Sequence, residues 1–114
     1  MPNFVTVTAV GVNSDSSNIQ FGEVCFTPSD IVWATGYGLI GAVPAVLFTF
    51  NGGVSTLSVS LYAMDNAGVS TNWSWIVTGN LEGIPIMRRS ISVLFATGPT
   101  QNLATLLNAG VLVP

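Results

Sequence analysis

The chain of 114 residues has 2 basic side chains, Arg88 and Arg89, 5 acidic ones and no histidine, a charged fraction of 6% against roughly 25% in ordinary soluble domains. It cannot supply the several cations on one face that a phosphate backbone requires, which excludes nucleic acid as a partner. Hydrophobic residues reach 49%, yet the longest apolar-looking run, IGAVPAVLFTFNGGV, is broken by Pro44 and ends at Asn51, short of the ~20 apolar residues of a spanning helix, so no membrane span is expected.

In chain order, FVTVTAV (residues 4–10) alternates, with Val5, Val7 and Ala9 in one phase and Thr6 and Thr8 in the other, the signature of a half-buried strand. GVNSDSSN reads as a turn. IQFGEVCFTP (residues 19–28) reads as a second strand whose apolar phase switches from Ile19 and Phe21 to Val24 and Phe26, which predicts a bulge at Gly22. Residues 29–44 are Gly-rich and irregular, an excursion with room for one short strand, and they carry Trp33 and Tyr37.

AVLFTF and VSTLSVSLYA flank Asn51-Gly52-Gly53, a hairpin signal because these residues tolerate positive φ. In the second arm Leu57, Val59 and Leu61 share the core phase, and Thr56, Ser58 and Ser60 face water. NWSWIVTG is a strand with Trp73, Trp75 and Val77 in one phase. IPIMRRSISVLFA reads as one long bent strand or two short ones. Near the end, Leu103, Leu106 and Leu107 fall at helical spacing with Gly110 as a stop.

Short β-branched and aromatic runs separated by Gly, Asn, Pro and Ser clusters predict an all-β fold, an immunoglobulin-like antiparallel β-sandwich with one short C-terminal helical turn. The length fits a single domain over residues 1–114, able to bury roughly 65% of the surface of its unfolded chain. The single Cys25 rules out an intrachain disulfide and, between Val24 and Phe26, reads as a small buried hydrophobe. The N-terminus lacks a basic segment followed by an apolar core, so no secretory leader is expected, and the Asn72-Trp73-Ser74 acceptor pattern reads as chance.

The chemistry that remains is thin. Without His or Lys the familiar nucleophile and base arrangements cannot be assembled, and zinc loses its usual ligands. Asp65 with Glu82 or Asp30 would be the available glycosidase pair, but the acids are scattered among turns, and the chain reads as non-enzymatic with no cofactor and no metal. Asp65-Asn66-Ala67-Gly68 lacks the spacing and terminal Glu of a calcium loop. It reads instead as a turn, with Asx side chains bonding their own backbone and Gly68 left-handed. Trp33, Tyr37, Trp73 and Trp75 are the candidate glycan or interface contacts; for Trp73 and Trp75, core packing and sugar stacking both fit a shared strand phase. Arg88 and Arg89 point to opposite faces of a strand, so they make no joint anion clamp, and an inter-subunit salt bridge is the role assigned to them.

The segments VCFTPSD, LSVSLYAMDNAGVSTNWSWIVTGNLEG, RRSISVLFA and NLATLLNAG together resemble a small β-sandwich domain of virion proteins from bacteriophages that infect actinobacteria. In that family a Phe-Thr-Pro segment ends an early strand, here Phe26, Thr27 and Pro28. A strand then runs into an Ala-x-Asp-Asn-Ala turn, here Ala63 to Ala67. A Trp-x-Trp strand ending in Val-Thr follows, here Trp73 to Thr78, and later a Leu-x-x-Leu segment, here Leu103 to Leu106. The resemblance implies a virion structural protein made in the host cytoplasm. Its expected role is a head decoration subunit on the capsid lattice, with a tail, baseplate or fibre subunit that touches host carbohydrate as the alternative. Its partners would be the major capsid or a tail protein and other copies of itself, an arrangement that suits a surface kept wet by Ser, Thr, Asn and Gly at a net charge of −3.

Overall fold

The computed structural model describes residues 2–11, 17, 19–36, 41–51, 56–69, 72–86 and 88–113. Its long strands are β1 (Phe4–Val10), β2 (Phe21–Pro28), β5 (Val46–Asn51), β6 (Thr56–Tyr62) and β7 (Trp75–Leu81). Short ones are β3 (Trp33–Ala34), β4 (Gly41–Ala42), β8 (Ile84–Pro85), β9 (Arg89–Ile91), β10 (Thr100–Asn102) and β11 (Val111–Leu112), and one helix, α1 (Leu103–Ala109), lies between the last two. They form an all-β sandwich. One sheet has the order β10-β1-β6; the other has the order β11-β9-β7-β2-β5, with β8 also paired to β7.

Alternation builds the interior. Val5 and Val7 of β1 and Leu57, Val59 and Leu61 of β6 are buried on one layer; Val24 and Phe26 of β2, Trp75 and Val77 of β7 and Ile91 of β9 are buried on the other. Each such side chain contributes about 1.5–3 kcal/mol of apolar burial. The intervening Thr56, Ser58 and Ser60 are exposed, so β6 behaves as its pattern predicts. The helix also falls where its leucines predict. Asn102 caps it, its Oδ1 accepting the Ala104 N–H at 2.8 Å, and Leu103 is buried against the core.

Several expectations need correction. Register runs unbroken through Gly22, which pairs with Phe50 on one side and Leu81 on the other, so β2 has no bulge. The apolar phase changes because Phe21 turns outward, 57% exposed, while Ile19 is buried just before the strand begins. Asn51 does not open a hairpin: β5 pairs with β2 and β6 pairs with β1, so the chain changes sheets between them, and Gly52 and Gly53 lie outside the described residues. A local turn signal cannot say which sheet will accept the next strand. The irregular excursion holds a small ribbon, with Trp33 paired to Ala42 and Ala34 to Gly41.

Cys25 is half-buried rather than enclosed, because alternation with Val24 and Phe26 turns it to the outer face, its Sγ 3.5 Å from Thr27 Oγ1. Nor is the sandwich wholly antiparallel, since β10 returns parallel to β1, with Thr6 opposite Thr100 and Thr8 opposite Asn102. The segment after β7 splits into β8 and β9, the shorter of the two readings; Met87 and most of the GVNSDSSN turn are outside the described residues. A tight hairpin joins β7 to β8 through Glu82 (φ 53°) and Gly83 (φ 86°), the two positive φ values of a type I′ turn.

Candidate interaction surface

The strand expected over NWSWIVTG begins only at Trp75, with Trp73 just ahead of it, and both tryptophans are core residues. Trp73 is 6% and Trp75 1% exposed, and their rings meet edge to face at 5.6 Å, an arrangement favoured by the aromatic quadrupole. Trp75 donates from Nε1 to the Tyr62 carbonyl at 3.1 Å, tying one sheet to the other, while Nε1 of Trp73 is buried with no partner among the described residues. Stacking on a sugar needs an open ring face, so the glycan role considered for Trp73 and Trp75 is overturned. Trp75 lies in the interior of a sheet flanked by β2 and β9, with the β1–β6 layer across the core. Trp33, on the β3–β4 ribbon, is 58% exposed. Tyr37 lies outside the described residues.

Asp65-Asn66-Ala67-Gly68 is a turn, with Gly68 at φ 77°, but its Asx side chains work at long range. Asn66 is buried and holds the N-terminal segment by a reciprocal pair of bonds: Oδ1 accepts the Asn3 N–H at 2.8 Å and Nδ2 donates to the Asn3 carbonyl at 2.8 Å. Asp65 accepts the N–H groups of Phe95 at 2.9 Å and Ala96 at 3.1 Å, capping the 3-10 turn Phe95–Thr97. Slight burial pushes its carboxyl up, but the donated N–H groups of Phe95, Ala96 and its own residue outweigh that and hold it below the usual carboxylate value.

The other candidate acids also accept backbone N–H groups. Asp30 accepts the Ile31 N–H at 2.8 Å and Glu82 accepts the Gln20 N–H at 2.7 Å. Each carboxylate serves a different backbone segment rather than a common bond. Among the described residues no three His, Cys, Asp or Glu side chains converge as a metal site would require.

The arginines separate as their strand neighbours imply. Arg89 lies opposite Val77 and donates from Nη1 to the Leu107 carbonyl at 3.4 Å, a cation at the end of α1 where the helix dipole favours it. Arg88 is exposed. Among the described residues neither forms an ion pair within the chain.

The accessible features left are apolar or uncharged. A cleft of about 380 Å³ opens between the N-terminal segment, the β3–β4 ribbon and the end of β6, walled by Pro2, Phe4, Ala42, Pro44, Val46 and Tyr62 among others and lined by no charged side chain. Phe4 stands over it, its ring edge to face with Tyr62 at 5.4 Å. Beside the cleft, β5 and β6 end their respective sheets. Leu47 on β5 is 59% exposed, and Thr49 and Asn51 also face water. Neither strand carries a lysine, a glutamate, an aspartate or a proline, the residues that commonly blunt a sheet edge. Composition points to an uncharged surface; that two strand edges without a partner strand among the described residues occupy it is set by the long-range order of the sheets and has no sequence signal.

No protein-family model, no curated protein and no solved structure matches the chain.

Proposed function

We propose that the chain is a non-enzymatic structural subunit of a bacteriophage particle, a head decoration (minor capsid) protein that binds across neighbouring shell subunits and reinforces the lattice. The observation that carries this reading is the character of the accessible surface: Phe21, Ile31, Trp33, Leu47 and Ile84 are exposed on a chain whose charged fraction is 6%. Apolar and uncharged polar groups can be covered by a neighbour without stripping water from ions, so their desolvation is favourable or nearly neutral. The resemblance of the VCFTPSD, DNAGVSTNWSWIVTG and NLATLLNAG segments to actinobacteriophage virion domains supports the same class of partner, a major capsid or tail protein.

The test is to add the purified chain to empty shells and follow their resistance to heat or force. Resistance should rise with occupancy and level off at saturation; shells that are no more resistant at saturating protein contradict decoration. Exposed Trp33 favours one second reading, a tail or baseplate subunit that stacks on host wall glycan. In that case actinobacterial wall polysaccharide should quench tryptophan fluorescence, and Trp33→Ala should abolish the change.

A further inference from the structure

β5 offers an edge that has no partner strand among the described residues. It bonds to β2 on one side and ends its sheet on the other, so among the described residues no strand pairs with the outward N–H and C=O groups of Val46–Asn51. The six residues VLFTFN combine high β-propensity with no charge and no proline, a sequence that invites another strand. A partner selected by charge would need charges on the edge to recognise, and this edge has none.

We propose that two copies of the chain join antiparallel through β5 about a two-fold axis at Thr49, making one continuous sheet across the dimer. Pairing centred on Thr49 sets Thr49 against its own copy, Leu47 opposite Asn51 and Phe48 opposite Phe50. Exposed Leu47 is thereby flanked by Cys25, its own-chain neighbour, and by the partner's Asn51, with the partner's Phe21 on the next strand. Half-buried Phe48 gains an aromatic neighbour of the kind it already has in Phe50, whose ring lies 5.1 Å away edge to face.

Electrostatics permit this register. The acid nearest the axis is Glu23, paired with Thr49 on the neighbouring strand. The two Glu23 side chains of a dimer lie three strand spacings apart, about 14 Å, beyond the ~8 Å screening length at physiological salt. The inference goes beyond the virion reading and does not depend on it, because it concerns the isolated chain.

The test is sedimentation equilibrium on the wild-type protein and on two variants, Thr49→Lys and Thr49→Asp, separately and mixed. Thr49 is exposed, so each variant should keep the far-UV spectrum of the wild type. Wild-type protein should reach the mass of two chains with rising concentration. Like charges meeting at the axis should weaken each variant's self-association on the order of 100-fold, and mixing the two should restore a dimer. Wild-type protein that stays at the mass of one chain, variants that dimerise as the wild type does, or a mixture that stays monomeric would each overturn the proposal.

Discussion

On the side where β10 and β11 end the two sheets, α1 carries the chain from one edge to the other, and polar bonds fasten it there. Asn102 caps its start, Arg89 donates to Leu107 near its end, and Gln101 donates from Nε2 to the carbonyls of Leu94 and Gly98 at 2.8 and 2.9 Å. On the opposite side β5 and β6 end their sheets, and among the described residues no strand pairs with the outer edge of β5. Val111 and Leu112 of β11 are exposed, as Leu47 of β5 is, so the two sides differ in how the sheets are fastened rather than in apolar exposure. The contrast teaches that α1 and its polar bonds concentrate stability on one side, while the other is left for a neighbour to complete.

If that division holds, substitutions on the closed side and in the core should cost stability, and substitutions on the open side should cost association. The largest loss should come from Trp75→Ala, which empties the centre of the core and breaks the bond to Tyr62; about 3–5 kcal/mol of unfolding free energy should disappear in denaturant titrations. A loss below ~1 kcal/mol would mean the tryptophan pair is not the interior described. Asn66→Ala leaves the Asn3 N–H and C=O without their partner and should cost about 1–3 kcal/mol, with the N-terminal segment becoming an early site of proteolysis. Asn102→Ala removes the cap of α1 and should cost about 1 kcal/mol.

The acid response is a narrower probe. The folded carboxyl of Asp65 titrates below its unfolded value, so its stabilisation is complete above the ordinary carboxylate range, ~3.9. It is lost as the pH falls through the folded value. Asp65→Asn should therefore flatten the acid limb of a stability-against-pH curve while leaving its slope near neutral pH unchanged. At the smallest end, Leu47→Ser on the open side should move the stability of the dilute protein by no more than ~0.5 kcal/mol. A loss as large as that of Asn102→Ala would remove the distinction between the two sides.

Much of the sandwich was legible because its information is local. The alternation of Val5 and Val7, and of Leu57, Val59 and Leu61, chose the buried faces of β1 and β6, and the leucine spacing with Gly110 delimited α1. Pairing was not legible. Asn51-Gly52-Gly53 has the chemistry of a hairpin, but β6 goes to β1 because its buried face completes the layer opposite β2 and β7, a preference that no short window contains. The parallel return of β10 beside β1 and the reach of Asn66 to Asn3 span most of the chain, and they too leave no local trace. For the candidate site, the shared phase of Trp73 and Trp75 was visible, but a strand pattern does not distinguish an outer face from an inner one; burial between the layers decides it. Glu82-Gly83 is the opposite case, a local turn whose glycine is readable but whose first position is obscured by Glu, an uncommon occupant of positive φ.

Hydrogen exchange read strand by strand over a range of protein concentrations tests the division most directly. Amides of β10, β11 and α1 should exchange at rates independent of concentration. The outward amides of β5 should exchange fast in dilute protein and slow as concentration rises, because only there does a second chain complete the sheet. Concentration-independent exchange in β5, or a slowing confined to β10, β11 and α1, would contradict the account.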